Sequence, residues 1–111
     1  MKVDYDEDND VLWIHSGKKV SDSLEVDRFV VDFMRDGSVS GVEIMDASKI
    51  ISNLSTHKVS KEYLGLIEDA KLRLYRSKDL VYIVVSFRIL VNNKMENMII
   101  QVPAPRAAMA A

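Results

Sequence analysis

The sequence predicts an α+β domain: a curved, mainly antiparallel sheet of about seven strands with one or two short helices on one face. Three observations lead to this fold class. Short apolar runs alternate with polar residues at a period of two, as in half-buried strands. Clusters of acidic residues, asparagine and glycine separate these runs, as in hairpin turns. The chain has 111 residues, 48% of them hydrophobic and 29% charged, which is typical of one globular domain.

Two hairpins are predicted in the first half of the domain, residues 1–51. The first joins a strand over 2–5 to a strand over 11–14, with an acidic turn between them. The second joins strands over 28–34 and 38–45 through Arg35-Asp36-Gly37. The apolar residues of the last strand change parity around Gly41, which predicts a β-bulge there.

The helices are predicted from their capping residues. Asp46 precedes an apolar run and is the expected N-cap of a short helix that begins at Ala47. Ser60 is the expected cap of a second helix, in which Tyr63, Leu66 or Ile67, and Ala70 recur at helical spacing. Between the two helices, residues 52–60 are polar and predict an exposed connector.

The second half of the domain, residues 61–102, returns to strands. Strands are expected over 71–75, 80–91 and 95–102. The middle one is apolar on both faces, as in a central buried strand. Residues 103–111 leave the pattern and predict a disordered tail, so the expected single domain covers 1–102.

An internal similarity relates the two halves at a constant offset of 69 positions. Val3, Tyr5 and the run that begins Val11-Leu12-Trp13 correspond to Leu72, Leu74 and the run that begins Leu80-Val81-Tyr82. The strand, turn and strand unit therefore occurs twice, either through duplication or because both units are generic hairpins.

Composition excludes several classes of site. The chain has no cysteine, so disulfides, thiol nucleophiles and cysteine-based zinc sites are impossible, and the reducing cytoplasm is the expected compartment. No apolar segment reaches the ~20 residues that cross a bilayer, so no membrane association is expected. The four glycines stand singly, which excludes a P-loop or a dinucleotide fingerprint, and no cofactor is predicted.

Charge is divided unevenly along the chain. Residues 1–46 carry 12 acidic and 5 basic side chains, whereas residues 47–111 carry 5 acidic and 10 basic ones. The basic cluster Lys71, Arg73, Arg76 and Lys78 is the candidate site for nucleic acid or another anion, and Tyr75 is placed to stack on a base. The favoured alternative is that these charges keep an edge strand from unwanted pairing.

Metal and catalytic sites are weakly supported. The alternating carboxylates of residues 4–10 suggest a calcium loop, but they lack the glycine and the glutamate that an EF-hand requires, so no metal is predicted. His15 and Ser16 point to opposite faces of a strand. Asp32 and Glu43, expected on inward faces of the strands, remain as carboxylates for a small enzyme site, the third-ranked function.

The first half of the chain resembles domain-of-unknown-function family 2283 of bacteria and archaea. The resemblance rests on four segments within residues 1–51: Val3-Asp4-Tyr5-Asp6; Asp10-Val11-Leu12-Trp13-Ile14; Val31-Asp32-Phe33 with Asp36-Gly37; and Gly41-Val42-Glu43-Ile44-Met45-Asp46-Ala47-Ser48. In the last segment Met45 replaces the usual leucine. The resemblance implies a small β-rich cytoplasmic module without an established activity, and a partner-binding or antitoxin-like role.

The function that follows is non-catalytic protein interaction, antitoxin-like or self-associating. The apolar surplus of residues 80–91 predicts a homodimer, because one small sheet cannot cover both faces of such a strand. Trp13, Tyr82 and Phe87 are the aromatic candidates for the interface, although core packing is their commoner use. A small protein partner is the expected alternative to a second copy, and nucleic acid is less favoured.

Overall fold

The computed structural model describes residues 1–54, 58–67, 69–76, 78 and 81–104. Its elements are, in chain order, β1 (Lys2–Asp6), β2 (Val11–His15), β3 (Asp22–Val26), β4 (Phe29–Phe33), β5 (Val39–Ile44), α1 (Ala47–Leu54), α2 (Lys61–Leu64), β6 (Ala70–Arg76), β7 (Val81–Val91) and β8 (Lys94–Ala104). The α+β class is confirmed. Among these residues no helix is long and apolar enough to span a membrane.

The strands form two antiparallel sheets, whereas the sequence pattern suggested one curved sheet. The five-stranded sheet has the order β1-β2-β5-β4-β3, and the three-stranded sheet has the order β6-β7-β8. Both predicted hairpins of the first half are present. The additional strand, β3, is short and exposed on alternate residues, so it pairs with β4 without a strong apolar signal of its own.

The predicted bulge is also present. Register shifts where Asp32 pairs with Gly41 but Phe33 pairs with Val39, which leaves Ser40 as the extra residue. A Cβ atom on Gly41 would lie 2.7 Å from the Ile14 carbonyl oxygen. Glycine is therefore required here by the close approach of β2 and β5.

The two sheets share one hydrophobic core. Leu12, Ile14, Val31, Val42 and Ile44 line the inner face of the five-stranded sheet and are fully buried. The inner face of the three-stranded sheet and buried residues of both helices belong to the same cluster. Each sheet therefore has one apolar face toward the core and one outer face.

The segments around the helices differ from the sequence-based expectation. Helix α2 ends at Leu64, and Ala70 is the first residue of β6 because it pairs with Phe87. The connector is not simply exposed: Val59 is only 2% exposed, and its N–H donates to Ser52 Oγ at 2.8 Å. Strand β8 continues to Ala104, past the predicted domain end at 102. The predicted tail beyond it, 105–111, lies outside the described residues.

The repeated units are both antiparallel hairpins, with different registers. In the first, Val3 pairs with Ile14; in the second, the equivalent Leu72 pairs with Val85, two residues beyond the equivalent of Ile14. Corresponding residues still face the same way, because a shift of two preserves the face.

Candidate functional site

Tyr5, Asp10 and Ser48 form a network of hydrogen bonds at the start of α1. The Tyr5 hydroxyl donates to Asp10 Oδ1 at 2.6 Å, and the Ser48 hydroxyl donates to Asp10 Oδ2 at 2.6 Å. The Ser48 N–H also donates to the Asp10 carboxylate, at 3.0 Å. Asp10 therefore caps the helix from 38 residues away.

The network shifts the ionisation of both groups. Burial by itself raises the pKa of the Asp10 carboxyl, but hydrogen bonds from Ser48 and Tyr5 outweigh it and hold that pKa below its ordinary value. Burial, followed by the hydrogen bond to Asp10, raises the pKa of the Tyr5 phenol. Both shifts favour an ionised Asp10 and a neutral Tyr5, which is the arrangement of a structural cap.

The predicted cap residue, Asp46, has a different role. Its carbonyl oxygen accepts the N–H groups of Lys49 and Ile50, so it does occupy the first position before the helix. Its carboxylate lies 3.1 Å from Arg28 Nη1 instead of on the helix backbone, and its φ is +51°. The expectation that its carboxylate caps the helix is thus wrong, because the Asp10 carboxylate already accepts a backbone N–H group at that end.

The outer face of the five-stranded sheet carries a second polar group. His15 Nε2 lies 2.7 Å from Asp4 Oδ2, and the His15 ring stacks on Trp13 with centroids 3.8 Å apart. His15 is only 8% exposed, and its contacts with Asp4 and Trp13 hold it at the end of the strand. Trp13 Nε1 is buried without a hydrogen-bond partner.

Asp32 and Glu43 lie on the same outer face, so the expectation that they face inward is wrong: the buried pair Val31 and Val42 takes the inner positions between them. Asp32 is buried and accepts a hydrogen bond from the Ser23 hydroxyl at 2.7 Å. Burial, together with the nearby charge of Asp32, raises the pKa of Glu43. The two carboxylates of the enzyme alternative are therefore neighbours on this face.

The acidic turn is organised by its own residues. Asp6 accepts hydrogen bonds from the side chain and the backbone N–H of Asn9, and these bonds lower the pKa of Asp6. Among the residues that the structure describes, no three His, Cys, Asp or Glu side chains are grouped as a metal site would need.

The predicted basic cluster divides between the two sides of the three-stranded sheet. Lys71 and Arg73 pair with Ser86 and Val84, and they share its outer face, as alternation predicted. Arg76 is exposed, but it pairs with the buried Val81 and so occupies a position of the inner face. Lys78 lies beyond the end of β6, is exposed, and has an interaction within the fold.

The sequence analysis did not connect two other residues, Arg88 and Tyr82, with this outer face. Arg88 follows Ser86 by two residues on β7, so it lies diagonally beside Lys71. Tyr82 pairs directly with Tyr75, and their rings stack with centroids 5.4 Å apart. Arg88 interrupts an apolar run, and this was the signal available: a charge on a central strand must lie on an exposed face.

The three aromatic interface candidates have different environments. Trp13 and Tyr82 are half-buried on the outer faces of their sheets, where a partner is able to reach them. Phe87 is 3% exposed and packs in the core opposite Ala70 and Met98. Phe87 is consequently placed in the core of the single chain, and its surface is not available to a partner.

Strand β8 forms an open edge of the three-stranded sheet. It has eleven residues and pairs only with β7 in the described sheet. Ile99 on this strand is 65% exposed, and Leu54 at the end of α1 is 55% exposed. A cavity of about 490 Å³ lies between α1 and β8, and it is lined by Phe29, Ile50, Asn53, Leu54, Ile99, Ile100 and Gln101. We call this cavity the α1–β8 groove.

Comparison with known proteins relates the first half of the chain to one family. The sequence model of the family "Protein of unknown function (DUF2283)" matches residues 2–48. These residues include the Tyr5, Asp10 and Ser48 network, so the family motif coincides with a structural device that fixes α1 on the first hairpin.

Two relatives extend the similarity beyond this segment. An uncharacterised protein of Methanocaldococcus jannaschii is 34% identical over 91 residues, which cover 70% of this chain and 77% of the relative. A protein of Methanosarcina mazei, whose name assigns it provisionally to the hypoxanthine phosphoribosyltransferases, is 27% identical over 95 residues, covering 85% of this chain and 72% of its own length. No solved structure matches.

Proposed function

We propose that this chain, which belongs to the DUF2283 family of proteins of unknown function, is a non-catalytic protein-interaction module that self-associates along β8. The observation that carries the proposal is an open eleven-residue strand edge that borders an apolar groove. As part of the same proposal we place the protein in the cytoplasm, because its sequence contains no cysteine.

The strand edge supplies hydrogen-bonding groups for a partner. Apart from the pairing within its own sheet, β8 takes part in none of the described backbone hydrogen bonds between elements. An exposed edge of this length is a template on which another strand is able to pair. Main-chain hydrogen bonds then give affinity whatever the sequence of the added strand.

The α1–β8 groove supplies apolar contacts beside that edge. Its lining includes Ile50 and Leu54 from α1 and Ile99 from β8. A strand added to β8 directs alternate side chains to each face of the sheet, and the nearest of them contact the residues that line this groove. The groove therefore favours an added strand that carries apolar residues at alternate positions.

A second copy of β8 fits this requirement. Ile99 is an exposed apolar residue of this strand, whereas Met98 and Ile100 beside it are buried in the core of their own copy. The charged residues Lys94 and Glu96 lie near its hairpin end. Two such strands pair antiparallel about a two-fold axis near Ile99 without apposing like charges. A protein partner, the antitoxin-like alternative, would have to compete with the second copy for the same edge.

One relative is named for a phosphoribosyltransferase, but we do not propose that activity for this chain. The four glycines of this chain stand singly, at positions 17, 37, 41 and 65, so its sequence contains no glycine-rich phosphate loop. The hydrogen-bonded polar side chains of the five-stranded sheet hold strands and a helix together.

The molar mass in solution tests the proposal. We expect light scattering to give a dimer for the native protein and for Met95→Lys, which places a charge on the same strand at an exposed residue away from the groove. Ile99→Lys and Leu54→Lys should give monomers, because each places a charge at the proposed contact. A monomeric native protein, or an equal loss of dimer in Met95→Lys, would contradict self-association along β8.

A further inference from the structure

Beyond the proposed self-association, the outer face of the three-stranded sheet carries cations that take part in none of the described ion pairs. Lys71, Arg73 and Arg88 are all exposed on this face, and we call them the basic strip. Among the described residues, no acidic side chain lies within ion-pair distance of these three. Their charge is therefore available to a ligand.

The remaining outer-face positions favour an anionic ligand. They carry tyrosine, aliphatic, serine and amide side chains, and the described positions include no acidic residue: Tyr82, Val84, Ser86, Leu90, Met95, Asn97, Ile99 and Gln101. At one end of the strip, a cavity of about 680 Å³ is lined by Lys71, Ser86, Arg88 and Asn97 among others. Asp69 is the acidic residue that borders it, so the cations outnumber it.

The other end of the strip carries an aromatic surface. Tyr75 follows Arg73 by two residues on the same face, and it stacks on Tyr82 at an interplanar angle of 14°. Tyr75 is 41% exposed, so its ring is accessible from solvent. Cations followed by an exposed aromatic platform are the combination that binds a phosphate backbone and an unpaired base together.

We propose that the basic strip and the Tyr75–Tyr82 pair form a binding surface for single-stranded nucleic acid. Successive cations on β6 are spaced by two residues, roughly 7 Å, and contact the phosphates, while a base stacks on the exposed Tyr75 ring. An acidic peptide would contact the cations but would not need to stack on the tyrosine rings. A duplex would keep its bases stacked on each other and away from Tyr75.

Fluorescence anisotropy with a labelled single-stranded RNA of about a dozen nucleotides tests this surface. Binding should weaken with salt with a logarithmic slope of about −2, since three cations each contribute about −0.7. Arg73→Gln and Arg88→Gln should each reduce the magnitude of that slope by about 0.7. Tyr75→Ala should weaken binding roughly five- to hundredfold.

Arg76→Gln is the matched control, because Arg76 lies on the same strand but at a position of the opposite face. It should bind RNA much more tightly than Arg73→Gln does. Circular dichroism checks that each variant is folded. An equal loss in Arg76→Gln, an unchanged affinity in Tyr75→Ala, equally tight binding of duplex or of polyglutamate, or no binding at all would overturn the proposal.

The experiment also separates this surface from self-association. Leu54 lies on α1, away from the outer face, so Leu54→Lys should keep RNA binding even as a monomer. Loss of RNA binding in a folded Leu54→Lys would contradict an independent surface.

Discussion

The outer faces of the two sheets use charge in opposite ways. On the five-stranded sheet, Asp4 lies against His15 and Asp32 accepts a hydrogen bond from Ser23. On the three-stranded sheet, Lys71 and Arg73 extend into solvent. Charged groups with internal partners hold a fold together, whereas cations without them cost little to keep exposed and remain able to bind. The family motif belongs to the first class and the proposed nucleic-acid surface to the second.

The largest effect should come from the Asp10 network. Asp10→Ala removes the acceptor for Tyr5 and Ser48, so we expect a loss of about 2–4 kcal/mol in the free energy of unfolding, measured in urea. Asp8→Ala, at an exposed position in the same turn, and Arg73→Gln on the three-stranded sheet should each change it by less than about 0.5 kcal/mol.

The pH dependence sharpens the same result. Because the folded pKa of Asp10 lies below its ordinary value, its stabilising contribution is present above that ordinary value and is lost as pH falls through the folded pKa. The difference in the free energy of unfolding between the native protein and Asp10→Ala should therefore become smaller in acid. A difference that stayed constant with pH would contradict the ionised cap.

A smaller effect is expected from a pair of glycine substitutions. Gly41→Ala would place a Cβ atom 2.7 Å from a backbone oxygen of β2, so we expect a destabilisation of about 1–3 kcal/mol in thermal or urea unfolding. Gly65→Ala is the matched control, since its Cβ would approach the nearest atom only to 3.7 Å. It should be neutral or stabilise by about 0.5–1 kcal/mol. Equal losses at both positions would contradict the close approach of β2 and β5.

The smallest effect concerns Glu43, whose charge has no described ion-pair partner on its own outer face. Its folded pKa is raised, so the folded state binds the proton more tightly than the unfolded chain does, and stability falls as pH rises from the ordinary pKa through the raised one. Glu43→Gln should stabilise the protein at pH 7 by less than about 1 kcal/mol, because the side chain is half-buried. The gain should disappear below the ordinary pKa of glutamate. A loss of stability at pH 7 would show that the carboxylate has a partner.

The candidate site was only partly predictable. Alternation placed Lys71 and Arg73 on one face, and the structure agrees, because the period of a strand is fixed by its backbone. Arg88 comes from another strand and joins them only through the register of β6 on β7. The α1–β8 groove is formed by residues about 50 positions apart, so no local pattern signals it.

The sequence by itself determined the hairpins, their turns, the bulge at Gly41 and the α+β class, because these depend on side-chain alternation and on local backbone preferences. Tertiary structure decided the division into two sheets, the pairing of the weak strand β3 and the identity of the residue that caps α1. Asp46 and Asp10 both suit a cap by residue type. Only the packing of the first hairpin against the helix brings the carboxylate of Asp10 to that end, and such a contact between distant residues lies beyond any local rule.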